Sequence, residues 1–179
     1  MVSVFGTMAA DGVHVVLNVP YVVSSTFFAI VLAGYFVVWY RFEKTLSIHS
    51  ITTFRREFFY WTVVMTTFSL GTATGDMTAY SLHLGFLSSG LLFAVLFALP
   101  ALAYWKLGLN EVVAFWFAYI ITRPLGASFA DWFAGSTHGA LAWGYGPVAL
   151  VLIVFIACFV GYLTVSRKDV PKEPATIGG

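Results

Sequence analysis

GTATGDMTAY, residues 71–80, closes a long run of apolar and aromatic side chains, yet it places an aspartate, Asp76, where lipid would be expected. The same pattern, a small residue followed four positions later by another and then by Asp, recurs at GTMAAD, residues 6–11, and at GASFAD, residues 126–131. Three occurrences in 179 residues mark an internal repeat. What surrounds them decides the fold.

The chain is 60% apolar and 18% aromatic with only 9% charged residues, beyond the range of soluble domains. Stretches long enough to cross a hydrocarbon layer of roughly 30 Å, which takes about 20 apolar residues, run over Pro20–Phe42, Phe58–Tyr80, Phe86–Trp105, Val112–Phe133 and Tyr145–Val165. Their apolar character is continuous rather than alternating, and in lipid a helix satisfies its backbone groups internally, which excludes a lipid-facing β-barrel. The expected fold is all-α: a polytopic transmembrane bundle with five full spans and a truncated first helix. Met1–Ala10 reads as the outer half of that sixth helix, with its other half upstream or supplied by a second copy. No basic segment followed by an apolar core and a cleavage site is legible at the start. Cys158, the lone cysteine, sits in the last stretch without a disulfide partner in the chain.

Eight of the nine Lys and Arg residues fall on one side of this pattern. Arg41, Lys44, Arg55 and Arg56 border one loop, Lys106 lies in the next connection on that side, and Arg167, Lys168 and Lys172 lie in the tail. The connections that follow Asp11, Asp76 and Asp131 carry none. The positive-inside rule then places the basic loop and the C-terminus in the cytoplasm, with the chain multi-pass in a cell (inner) membrane. Residues 166–179, polar and with two prolines, read as a disordered tail. His49 reads as surface.

Trp61 precedes Asp76 by fifteen positions, and Trp116 precedes Asp131 by the same interval; Tyr21 and Phe86 each follow their Asp by ten. One unit therefore recurs, a helical hairpin with an aromatic anchor (Trp61, Trp116) at the cytoplasmic interface. Because each unit starts and ends inside, the units have parallel topology about an axis along the membrane normal. Residues 1–42 form a partial unit, 58–105 and 112–165 complete ones. On FYW at 59–61 with GTATGD at 71–76, FWF at 115–117 with RPLGASFAD at 123–131, and GTMAAD at 6–11, the chain resembles the bacterial family of uncharacterised membrane-anchored proteins. That resemblance implies four tandem two-helix repeats of unknown function; this chain shows two and part of a third.

Small residues four apart, Gly6 with Ala10, Gly71 with Gly75 and Gly126 with Ala130, clear one stripe for close helix packing. The aspartates lie in the outer third of their helices, where a carboxylate costs less than the roughly 2.5–3.5 kcal/mol of mid-membrane. Either they reach external water and lock turns, or they hold a proton or a hard cation. An acid near a helix C-terminus is disfavoured by the helix dipole, which calls for a positive partner. Arg123 is the basic residue at mid-depth, expected to pair with Asp76 or Asp11, or to gate. Pro124 beside it should strain or kink the helix and leave a carbonyl near Ile120 without its donor, which makes the Arg-Pro step a candidate broken helix; Pro100 should kink another span. His83 and His138 each follow an Asp by seven and are weak metal candidates, since no compact ligand motif accompanies them.

The sequence has no nucleophile elbow, Walker A loop or dinucleotide fingerprint, and its basic loop suits anionic lipid better than nucleic acid. It calls for no enzyme activity and no cofactor. Two readings remain: a transporter of a hard cation or protons using Asp11, Asp76 and Asp131, and a non-transporting scaffold or subunit whose charges hold the bundle together. The orientation is testable by impermeant thiol labelling of intact cells. Ser81→Cys is expected to react from outside and Ser50→Cys to be protected; the reverse pattern would invert the topology.

Overall fold

Six helices follow one another in the computed structural model, which describes residues 2–48 and 51–166: α1 Val2–Leu17, α2 Tyr21–Glu43, α3 Phe54–Asp76, α4 Gly85–Leu107, α5 Glu111–Ala134 and α6 Tyr145–Ser166. Their ends follow local chemistry. Pro20, which lacks an N–H, precedes α2. Asn110 caps α5, its side chain accepting from the amides of Val112 and Val113, worth about 1 kcal/mol for such a cap. Gly108 ends α4 in the left-handed region that glycine enters without a Cβ penalty. The predicted tail and His49 lie outside the described residues.

By length and composition α2, α4, α5 and α6 can each cross a membrane, and the chain is a membrane protein. The helix at α3 is as long but less apolar, with Arg55, Arg56 and Glu57 in its first turn and six threonines or serines further on. Its position accounts for that. The helix lies between α1, α2 and α5, so protein rather than lipid meets its polar atoms. Thr62, Thr66, Thr67 and Thr74 donate to carbonyls one turn back in their own helix. Ser69 donates across to the Gly6 carbonyl at 2.7 Å. The fifth expected span is thus the bundle's central helix, while α1 has 16 residues.

The hairpin expectation needs correction. The returning helices α2 and α4 pack mainly on the Asp-bearing helix of the next unit, α2 on α3 and α4 on α5, while α6 packs on α5 of its own unit, and the Asp helices pack in the order α1, α3, α5. The hydrophobic core follows this arrangement. Trp39 and Leu32 of α2 meet Val63 of α3 and Trp116 of α5 toward one end of the bundle, while Phe28 meets Ala73 and Ala10 toward the other.

Trp116 is consequently not an interfacial anchor. It is 5% exposed, T-shaped against Trp39 at 5.7 Å, and its indole N–H donates to the Leu46 carbonyl at 2.8 Å. Trp61, 45% exposed, keeps the surface position expected of it and donates to Glu57. The helix through Pro124 is not broken, and neither is that through Pro100. Both prolines are buried inside continuous helices.

Close packing at small residues occurs where expected in two repeats. A Cβ on Gly6 would come within 2.6 Å of the Phe68 Cβ, and one on Gly71 would overlap the Cβ of Arg123. Gly75 faces Ala127 and Pro124, and Ala10 is buried. Protein therefore fills the space beside these residues. At Gly126, however, nothing lies within 4 Å. Gly71→Leu should destabilise the fold by about 1–3 kcal/mol or more through overpacking, whereas Gly12→Leu, also facing open space, should stay within about 0.5 kcal/mol; thermal unfolding in detergent compares the two.

Candidate functional site

Side chains four apart share a helix face, and each Asp helix offers such a pair: Thr7 with Asp11, Thr72 with Asp76, and Ala127 with Asp131. The packing order brings the three pairs together. With Tyr21, Tyr80, Ala130 and Tyr145 they line one recess of about 470 Å³. Thr72 reaches Thr7 at 3.4 Å across the α1–α3 contact. The three aspartates, 65 and 55 positions apart in sequence, thus share one wall system.

Asp11 and Asp131 lie inside their helices, and Asp76 is the last residue of α3. The α1 helix runs on from Asp11 to Leu17, α5 runs on from Asp131 to Ala134, and α3 continues past Asp76 in a π-helical turn, Met77–Ser81. That wider turn buries Thr78 and Ala79 and sets Tyr80 at the recess. Such π turns inside helices are frequent at functional sites.

Asp131 accepts a hydrogen bond from the Tyr145 hydroxyl at 3.2 Å. Asp11 and Asp76 have no hydrogen-bond or ion-pair partner among the described residues. The aromatic wall is itself held in place. Tyr21 stacks on His14 at 3.7 Å with the rings 14° from parallel and lies stacked at 5.8 Å from Tyr80. The His14 Nδ1 donates to the Val19 carbonyl at 2.7 Å, and since a carbonyl only accepts, that contact sets the proton on Nδ1.

Arg123 does not join the aspartates. Its guanidinium carbon lies 3.9 Å from the Phe68 ring centroid and 4.4 Å from that of Tyr119, and its Nε is buried without a hydrogen-bond partner. Cation–π attraction takes the place of the expected ion pair, at about 0.5–2 kcal/mol for such contacts. The ion pairs among the described residues are at the opposite end, where Glu43 receives Arg55 at 2.6 Å and Arg56 beside it. No Lys or Arg lines the recess.

The histidines divide. His138 stands edge-on to Tyr80 at 4.7 Å, behind the recess wall, while His83 is exposed in a left-handed turn. Among the described residues no three of His, Cys, Asp and Glu are grouped closely enough to hold a metal ion. Carboxylates, threonine hydroxyls and tyrosines line the recess. Sequence reasoning missed Thr7, Thr72 and Tyr80, although the first two were legible as the residues one turn before each Asp.

The new partner of Arg123 is open to test by a double-mutant cycle on thermal stability. Arg123→Gln with Phe68→Leu should be non-additive by about 0.5–2 kcal/mol, and Arg123→Gln with Asp76→Asn additive to about 0.5 kcal/mol. The opposite result would restore the ion pair.

A family model described as Repeat of Unknown Function (DUF347) matches residues 1–45, 59–108 and 114–169. The three matched segments coincide with the three Asp-bearing helices and the helices that return from them. A search of curated proteins and of solved structures finds no match.

Proposed function

This chain belongs to the family described as Repeat of Unknown Function, and on that premise we propose that its three repeats build one cation- or proton-binding vestibule of a membrane transporter. The observation that carries the reading is the convergence of Asp11, Asp76 and Asp131 on one recess that no basic residue lines. Carboxylates placed in a membrane bundle without a cationic partner concentrate positive charge, because the low-dielectric walls focus their field. Hard cations prefer oxygen ligands. The threonine hydroxyls and tyrosines of the wall add neutral oxygens to the carboxylates, a lining suited to a cation that keeps part of its water or to protons passed between carboxylates.

In this reading the recess opens on the extracytoplasmic face of a cell (inner) membrane and the C-terminus is cytoplasmic. Support comes from charge. The ends of α2 and α4 and the start of α3 carry Arg41, Lys44, Arg55, Arg56 and Lys106, and α3 alone puts about 30 Å between that end and Asp76. Between the two ends lie Arg123 and the Trp39–Trp116 cluster. They would form the barrier that must open for transport. The same cluster also supports a second reading, a scaffold in which a closed aromatic end and a polar outer end simply fix the bundle.

Flux measurements in reconstituted vesicles separate the two. Asp76→Asn with Asp131→Asn keeps side-chain size and hydrogen bonding while removing charge, and should reduce cation or proton flux on the order of a hundredfold, about 2.7 kcal/mol, with thermal stability retained. Unchanged flux would exclude the carboxylates from transport. Loss of folding in the double variant would support the scaffold.

A further inference from the structure

Consecutive Asp helices meet in one register, used twice. Gly6, five residues before Asp11, packs on Phe68 and Ser69, which stand eight and seven before Asp76. Gly71, five before Asp76, packs on Arg123 and Pro124, eight and seven before Asp131. The third instance is half present. Gly126 stands five before Asp131 with nothing within 4 Å, and at the other edge Ser3 and Val4, eight and seven before Asp11, are exposed. The open halves are the two complementary halves of the contact that the chain makes internally.

The returning helices show the same incompleteness independently. Counted from Tyr21, α2 buries Ser24, Ser25 and Phe28; counted from Phe86 at the same steps, α4 buries Ser89, Gly90 and Phe93. From Tyr145 those steps in α6 give Val148, Ala149 and Leu152. Val148 is buried, but Leu152 is 50% exposed, and Ile156, one turn further on, is 62% exposed. Inside the chain Phe28 packs among Leu70 and Ala73, six and three before Asp76. Their equivalents in α1, Phe5 and Met8, are 64% and 65% exposed. Volumes compensate across the unfilled pair: a large residue on smaller ones within the chain, a smaller one, Leu152, facing larger ones between edges.

We propose that a second copy of this chain docks its α1 against the α5–α6 edge of the first, continuing the repeat register. Gly126 then receives Ser3 and Val4 of the second copy, and Leu152 meets its Phe5 and Met8. A glycine inside a helix costs about 1 kcal/mol relative to alanine, a cost that the close approach of another helix offsets. The contact joins two different edges, so it is heterologous, with the axis along the membrane normal and closure into a ring set by the rotation per repeat. It also sets Asp11 of the second copy beside Asp131, extending the carboxylate wall; this placement is independent of whether the wall transports anything.

The test is self-association of the full chain in lipid bilayers, read by single-molecule photobleaching across protein-to-lipid ratios. Gly126→Leu faces open space within one copy, so the expectation is an unchanged thermal melt with self-association weakened on the order of tenfold, about 1.4 kcal/mol. In a Cys158→Ser background, mixing a Gly126→Cys chain with a Val4→Cys chain should give an oxidised covalent dimer that neither chain forms alone. The proposal is overturned if the wild-type chain is monomeric at every ratio, if Gly126→Leu associates as well as wild type, or if the mixed cysteine pair fails to cross-link. Should Gly126→Leu not fold, the cysteine pair decides alone.

Discussion

Backbone contact between consecutive Asp helices is the constraint on which the rest of this structure depends. Where Gly71 lies against Arg123 and Pro124, and Gly6 against Phe68 and Ser69, the glycine contributes no Cβ, so the facing helix seats its own Cβ and main-chain atoms against the glycine backbone, which sets spacing and axial offset. A fixed offset applied twice to helices carrying an aspartate at the same position brings all three carboxylates to one recess. The recess is thus a consequence of the packing stripe, even though no glycine of the stripe supplies a functional group.

Charge is distributed along the bundle in three layers. Glu43 bridges the two arginines of the first turn of α3 and leaves that end net positive, Arg123 is held between rings in the middle, and the acids stand at the other end. Burying an isolated cation is costly, and the faces of Phe68 and Tyr119 offset part of that cost without using a carboxylate. Keeping Arg123 on aromatic rings leaves the negative potential of the recess uncancelled. An Arg–Asp pair would have stabilised the same helices while cancelling that potential.

Much of this was legible in the sequence, and the misses have physical causes. Continuous apolar runs located α2, α4, α5 and α6 to within a few residues, because lipid demands uniform helices of one length. The Asp spacing located the repeats. Helical periodicity does not say which helix a face meets, so the exchange of α2 onto α3 and α4 onto α5 could not be read, nor the partner of Arg123. Tryptophan suits both a membrane interface and a core that offers an acceptor for its N–H. The Leu46 carbonyl, 70 residues away, decided the case of Trp116. The continuation of α1 beyond Asp11 and the π turn after Asp76 escaped notice because an Asp followed by a short polar stretch reads as a boundary. Gly126 looked like Gly6 and Gly71, and only the neighbours distinguish it.

The loose attachment of α6 has a dynamic consequence. Local opening is least costly where few apolar groups are buried, and α6 touches α5 alone among the helices it packs on to any extent, burying Val148 near its start. Tyr145, the first residue of that helix, holds Asp131 through its hydroxyl, whereas Tyr21 is braced by the stacked His14. The recess therefore has one stiff wall and one compliant wall. Within one copy, opening at the start of α6 costs least and frees the Asp131 carboxylate from Tyr145, whereas the close contacts among α1, α3 and α5 hold the other two acids in place.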